Sequence, residues 1–393
     1  MQRLSGVIQE YAWGSRTALP QLLGTQPTGK PQAELWLGAH PLAPAKLGDG
    51  TLAQHIARDP LGALGRAVLT QFGERLPYLL KVLAIDEPLS LQVHPSEAQA
   101  VEGYEREQAA GIALDDPKRN YKDRSHKPEL VVALTPFEAL CGFRTPEQMV
   151  ERLRVLDVRD LRSTIQMLEG WPDAVGVHGV VHGLFGMNER ERHEVMSQVT
   201  KALERAKGEG AEFALALELS KKYPGDVGAL LTLLLNRVTL EPGQGLFLPA
   251  GNIHAYLKGL GVEVMASSDN VLRGGLTPKH VDTAELLATM TYESGSVPIV
   301  SPRREGEEEV WDTPVAEFRL SRLALDRGPV APVHHDGPEI LLCTEGSAQV
   351  GHEKLSKGQA LWVDAKETGY SVSGSGVVWR VTDGAVAPAR RSR

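Results

Sequence analysis

Cysteine is nearly absent from this chain: Cys141 and Cys343 are the only two in 393 residues. That excludes a disulfide framework. Each follows an apolar run (EAL and ILL), so both are expected as buried free thiols. Long apolar runs are missing as well. No stretch reaches the roughly 20 residues a membrane helix needs, and MQRLSGVIQEYAWGS lacks the apolar centre of a secretion signal. A membrane role is not expected, and a reducing cytoplasm is. An excess of basic charge is also lacking. The net charge of −8 is spread along the chain and gives no electrostatic reason to bind nucleic acid or an anionic membrane. A phosphorylated small molecule stays compatible with this balance, because a few local cations suffice to hold one.

The composition that is present is globular, with 42% hydrophobic and 23% charged residues. The length calls for two or three domains. Forty Gly and 25 Pro imply many turns and short strands. Short strands and loops are expected over residues 1–50. Thr51 with Gln54 and Ser96 with Gln99 read as capping boxes opening two helices. LPYLLKVLAI (76–85) reads as a strand buried on both faces, and KPELVVAL (127–134) as another. From the Thr145-Pro146-Glu147-Gln148 helix start to about 236 the pattern predicts a helical insert of about five helices. β-signals then resume, a short helix is expected from Thr277-Pro278, 291–310 reads as a connection between domains, and 311–383 as short strands. The tail APARRSR is expected to be frayed.

One β-segment carries a ligand pattern. EPGQGLFLPAGNIHAY has the spacing Gly-x5-Pro-x-Gly-x2-His, which resembles the second cupin motif, where the histidine (here His254) ligates a metal. In LSLQVHP, Ser90, Gln92 and His94 alternate with Leu89, Leu91 and Val93, so the polar three share one face. In KPELVVAL, Lys127 and Glu129 share a face. Two imidazoles, a carboxylate and an amide oxygen suit Zn²⁺ kept as a Lewis acid, one ion per chain. A glutamine in the first position argues against iron and oxygen chemistry.

YAWGS (11–15), AELWLGAHP (33–41), LPYLLKVLAIDEPLSLQVHPSEAQA (76–100), SHKPELVVAL (125–134) and FLPAGNIHAYLKGLGVEVMASSDNVLRGGLTPKHVD (247–282) resemble, in order, the type I phosphomannose isomerase family. The resemblance implies zinc held by Gln92, His94, Glu129 and His254. It implies a mainly β fold of tandem cupin jelly rolls plus a helical domain: a catalytic cupin (1–144 and 237–300), the helical insert (145–236) and a C-terminal cupin-like unit (301–393). In the latter, His334 and His335 follow a first-motif outline, but Asp364, Lys366 and Gly369 stand where Pro, Gly and the metal His would be. No metal is expected there.

The implied reaction is aldose–ketose isomerisation through an enediol. It needs a base, an oxyanion stabiliser and a phosphate anchor. The resemblance points to Arg273, flanked by glycine, as catalytic. Lys127 is expected near the metal, and Asp269, Glu263 and His126 are acid/base candidates, with a water on the metal as a further base. Lys81, Ser90 and Lys279 are candidates for the substrate phosphate, and Lys81 is equally readable as a buried ion pair. Trp13, with Tyr11 and Trp36, lines a sugar pocket or packs in the core. A monomer acting on a small sugar phosphate is expected. A non-enzymatic sugar-binding cupin is the alternative, and an iron-dependent cupin oxidoreductase a third reading.

Overall fold

The computed structural model describes residues 1–327, 330–333 and 337–384. His334, His335 and the APARRSR tail lie outside the described residues. The doubly buried strand forms over Tyr78–Ile85, with all eight residues buried. Alternation divides it: Leu80, Val82 and Ala84 enter one core, Leu83 and Ile85 another. Lys81 lies on the second side.

This strand pairs antiparallel with Glu34–Leu37 and with the long strand His254–Ala266. The long strand serves two ladders. From Gly259 onward it pairs with Tyr78–Ile85 and Glu129–Ala133. Before that point, His254–Tyr256 pairs with Phe137–Phe143, and His254 also with Gln92. Gly259 permits the crossing: its φ is +129°, and a Cβ there would stand 2.8 Å from the Pro136 carbonyl oxygen. These ladders belong to one eleven-stranded sheet system, open rather than closed into a barrel.

A second eleven-stranded sheet is built mainly from residues 303–382. Gln2–Ser5 extends it, pairing with Ala360–Val363 on one side and with Lys46–Leu47 on the other, so early residues of the chain build part of the C-terminal sheet. Trp311, Trp362 and Trp379 of this sheet share a core with Leu80, Val82, Val132 and Val262 of the first. Residues 291–310 pass from sheet to sheet, but not as a bare connection. Ile299–Val300 pairs with Gly245–Leu248, and Arg303–Glu305 edges the second sheet.

Both capping boxes form, at Thr51 and Ser96, and the Thr145 side chain accepts the Gln148 N–H. Residues 146–234 carry six α-helices among the described residues, one more than expected. The additional one, Ala174–Gly186, holds four glycines, which weaken a helical reading. It forms because Val177, Val180, Val181 and Leu184 are buried along one side and Asp173 caps its start. The helix expected from Thr277 begins instead at Thr283, capped by Asp282. Cys141 and Cys343 are buried free thiols. Among the described residues no helix is long and apolar enough to cross a membrane.

Candidate metal centre

Gln92 lies between two partners in the antiparallel ladder, His254 on one side and Arg273 on the other. Residues directly opposite in such a ladder project to the same face. Gln92, His254 and Arg273 therefore share one face, and His94, two residues beyond Gln92, follows the same parity. Glu129 comes from the other ladder. Its Oε1 lies 3.4 Å from His94 Nε2 and its Oε2 lies 3.6 Å from His254 Nε2. The ligand atoms of His94, Glu129 and His254 all fall within 4.8 Å of one another, and all three residues are buried.

Hydrogen bonds fix both imidazoles. His94 Nδ1 is 2.8 Å from the Asn270 carbonyl oxygen, and His254 Nδ1 is 3.0 Å from that of Asn252. A carbonyl only accepts, so each Nδ1 carries the proton and each Nε2 turns its lone pair into the cluster. Burial, with the neighbouring Lys127, pushes His94 down to about 4, which keeps the ring neutral. Burial would raise the Glu129 carboxyl, but Lys127 and His94 hold it well below the carboxylate range. His94 Nε2 has no hydrogen-bond partner among the described residues. A buried lone pair facing an ionised carboxylate is costly without a cation. The donor set fits a zinc ion on that ground: two nitrogens, a carboxylate and the Gln92 amide.

The cluster borders a cavity of about 70 Å³, lined also by Gln92, Lys127, Lys81, Glu263, Tyr256 and Glu34. Lys127 Nζ lies 2.8 Å from Glu129 Oε1. Lys81 Nζ sits between Glu34 (3.6 Å) and Glu263 (3.4 Å), with the Trp36 ring 5.2 Å away. Burial would lower the Lys81 pKa, but Glu34 and Glu263 hold it above the ordinary lysine value. Burial and the Glu129 charge raise the Glu263 carboxyl, whose Oε1 accepts the Tyr256 hydroxyl at 2.9 Å.

Residues 1–146 match the family described as phosphomannose isomerase type I, catalytic domain. A mannose-6-phosphate isomerase of Escherichia coli is 39% identical, the match covering 97% of this chain and 99% of that one. The chain belongs to the type I phosphomannose isomerase family. The human mannose-6-phosphate isomerase is 34% identical over 93% of each chain. A crystal structure of mannose 6-phosphate isomerase bound with zinc and yttrium superposes with a TM-score of 0.89 at 37% identity, covering 98% of this chain and 99% of that one.

In this member of the phosphomannose isomerases, the other residues singled out in the sequence divide. Lys81, Lys127 and Glu263 border the small cavity with Gln92, Glu129 and His254. Arg273 is half-buried beside Gln92, with no ion pair among the described residues, and Lys279 is exposed but close enough to repel it. Asp269 does not pair with Arg273; its Oδ1 meets His40 Nε2 at 3.1 Å. Asp269 borders a second cavity, of about 760 Å³, with His40 and Lys122. His126 turns away altogether: it lies in the segment before Glu129–Ala133, and its Nε2 lies 2.6 Å from Oε1 of Glu317, in the loop that leads into Arg319–Ala324 of the second sheet. Ser90 is half-buried and does not border the small cavity. Trp13 is half-buried, stacked on Tyr11 at 5.8 Å and packed on the core, while Trp36 is buried and donates to Glu34.

Three neighbours escaped the sequence reading. Tyr256, two residues past His254, was accessible by the same parity that joins Gln92 to His94. Glu34 was signalled as Lys81 was, by a charge inside an apolar run. Asn270, fully buried, orients His94 and anchors the 122–125 loop through its side chain, and had no local signal.

Proposed function

We propose that this chain is a zinc-dependent mannose-6-phosphate isomerase that interconverts mannose 6-phosphate and fructose 6-phosphate through an enediol. The observation that carries the reading is the buried His94–Glu129–His254 cluster, with both Nε2 lone pairs directed inward. Gln92, His94, Glu129 and His254 would hold the zinc, one ion per chain, and the metal would supply Lewis-acid polarisation of the sugar oxygens.

The protein's own groups do the rest. Moving hydrogen between C2 and C1 needs a group that takes a proton and returns it. Among the acid/base candidates, Glu263 is favoured by its position. It borders the small cavity with its carboxyl raised, which suits a group that exchanges a proton near neutral pH. Asp269 and His126 are engaged by His40 and Glu317. Lys81 steadies the ionised form of Glu263, and Lys127 is the donor nearest the ligand carboxylate. Arg273 has no carboxylate partner among the described residues and stands beside Gln92, so it stabilises the negative charge that develops on the substrate oxygen. Lys279 adds a second cation for the phosphate. We read 145–236 as the helical insert, and the chain as a cytoplasmic monomer.

The test is a coupled assay on mannose 6-phosphate with metal quantification. Chelation is expected to abolish turnover, and Zn²⁺ to restore it. Full turnover by the metal-free chain would end the reading, and absence of solvent exchange at C2 would favour a binding module.

A further inference from the structure

We infer that Asp226, in the helical insert, is a positioning residue for the turn that carries Arg273 and Lys279. The inference rests on the role proposed above for Arg273. Asp226 lies between the helices Ala211–Lys222 and Gly228–Leu234. Its Oδ1 accepts the Gly228 N–H at 2.7 Å within the insert, and its Oδ2 accepts the Leu276 N–H at 2.7 Å across to the turn. The Thr277 N–H faces the same carboxylate.

The turn needs such a hold. Leu276 has φ +57°, a conformation that side-chain-bearing residues rarely adopt. It is buried in the core shared with Val227 and Leu230 of the insert. Gly275 has φ +113°, and a Cβ there would meet Asp226 Oδ1 at 2.5 Å. On its other side the turn is tied to the ligand strand: Gly274 N–H donates to the Leu91 carbonyl at 2.8 Å, and Leu91 N–H to that of Gly275 at 3.2 Å. The backbone between Arg273 and Lys279 is thus clamped between the insert and the segment that bears Gln92. A cation stabilising charge on a reacting atom loses its effect when displaced by about 1 Å. The insert, through one carboxylate, sets where Arg273 stands.

Asp226→Asn keeps the shape but leaves one acceptor oxygen for N–H groups that now use two. In the zinc-loaded full chain, kcat/KM is expected to fall between about tenfold and a hundredfold, with zinc content unaltered. Amide exchange should quicken at 274–277 while Ala211–Lys222 stays protected. In an Arg273→Ala background the same change should cost less than about twofold, because the two residues act as a unit. Gly275→Ala, which pushes on the clamp from its other side, should reproduce the loss, and answers the question if the Asn variant does not fold. An Asp226→Asn enzyme within about twofold of the parent, an equal loss in both backgrounds, or exchange rising through the whole insert would overturn the inference. Full turnover by Arg273→Ala alone would remove the Arg273 role instead. Exchange confined to 274–277 would then uphold the clamp, and unaltered exchange would end it.

Discussion

Arg273 is a half-buried cation that burial makes harder to keep charged, and no carboxylate among the described residues offsets that cost. Such a group is left free to receive an anion. Arg273→Ala is expected to retain stoichiometric zinc and to lose kcat/KM by about 10²–10³-fold, the usual effect of removing one preorganised oxyanion donor. A metal-replete variant with ordinary turnover would contradict this. Glu263→Gln removes the ionisable carboxyl while keeping its shape, and should lower kcat about 10²-fold or more with metal retained. Metal analysis beside steady-state kinetics separates that from loss of zinc. The His94–Glu129–His254 cluster was legible at this scale because it depends on residue type and on strand parity. Lys81 was legible as an anomaly only. A charge inside an apolar run announces a partner, but Glu34 and Glu263 lie 47 and 182 residues away in the chain (81 − 34 and 263 − 81).

The strand His254–Ala266 is the element on which the centre depends. It carries His254 at one end and pairs with Glu129 through Met265 near the other. Its change of ladder at Gly259 brings those two ends of the site together. Gly259→Ala forces a Cβ against the Pro136 carbonyl and an unfavourable φ, and is expected to cost about 1–3 kcal/mol. Denaturant midpoints would measure it, and zinc affinity should fall in parallel. Stability lost with zinc affinity unaffected would mean that the bend does not align the ligands. Elements with strong local signals, such as the capping boxes and the doubly buried strand, were readable from the chain. The helix Ala174–Gly186 was not, because glycine-rich sequence forms a helix only when burial of its valines stabilises it.

Across the whole molecule, His126, by its contact with Glu317, links the segment before Glu129–Ala133 of the first sheet to the loop before Arg319–Ala324 of the second. Its hydrogen bond with Glu317 raises the imidazole, while burial would raise the Glu317 carboxyl and the same hydrogen bond brings it below its ordinary value. A raised histidine stabilises the fold fully below its unfolded value of 6.5, and that contribution fades as pH rises through the folded value. A lowered glutamate contributes above 4.5 and fades as pH falls through its folded value. The pair therefore acts most between these limits. His126→Gln is expected to lower Tm more at about pH 6 than at about pH 9, with little effect on zinc. Equal losses at both pH values would exclude a charged pair. The sequence by itself determined the strand parities, the helix starts at Thr51, Ser96 and Thr145, the residues of the His94–Glu129–His254 cluster and, through a dense series of motifs, the family. These are local features, written in residue type and in periods of 2 and 3.6. Only the tertiary structure decided that His126 leaves the site while Glu263 enters it, that Gln2–Ser5 joins the C-terminal sheet, and that Asp226 holds the Arg273 turn. Those are pairings between distant segments, and packing selects them from many partners that local pattern leaves equivalent.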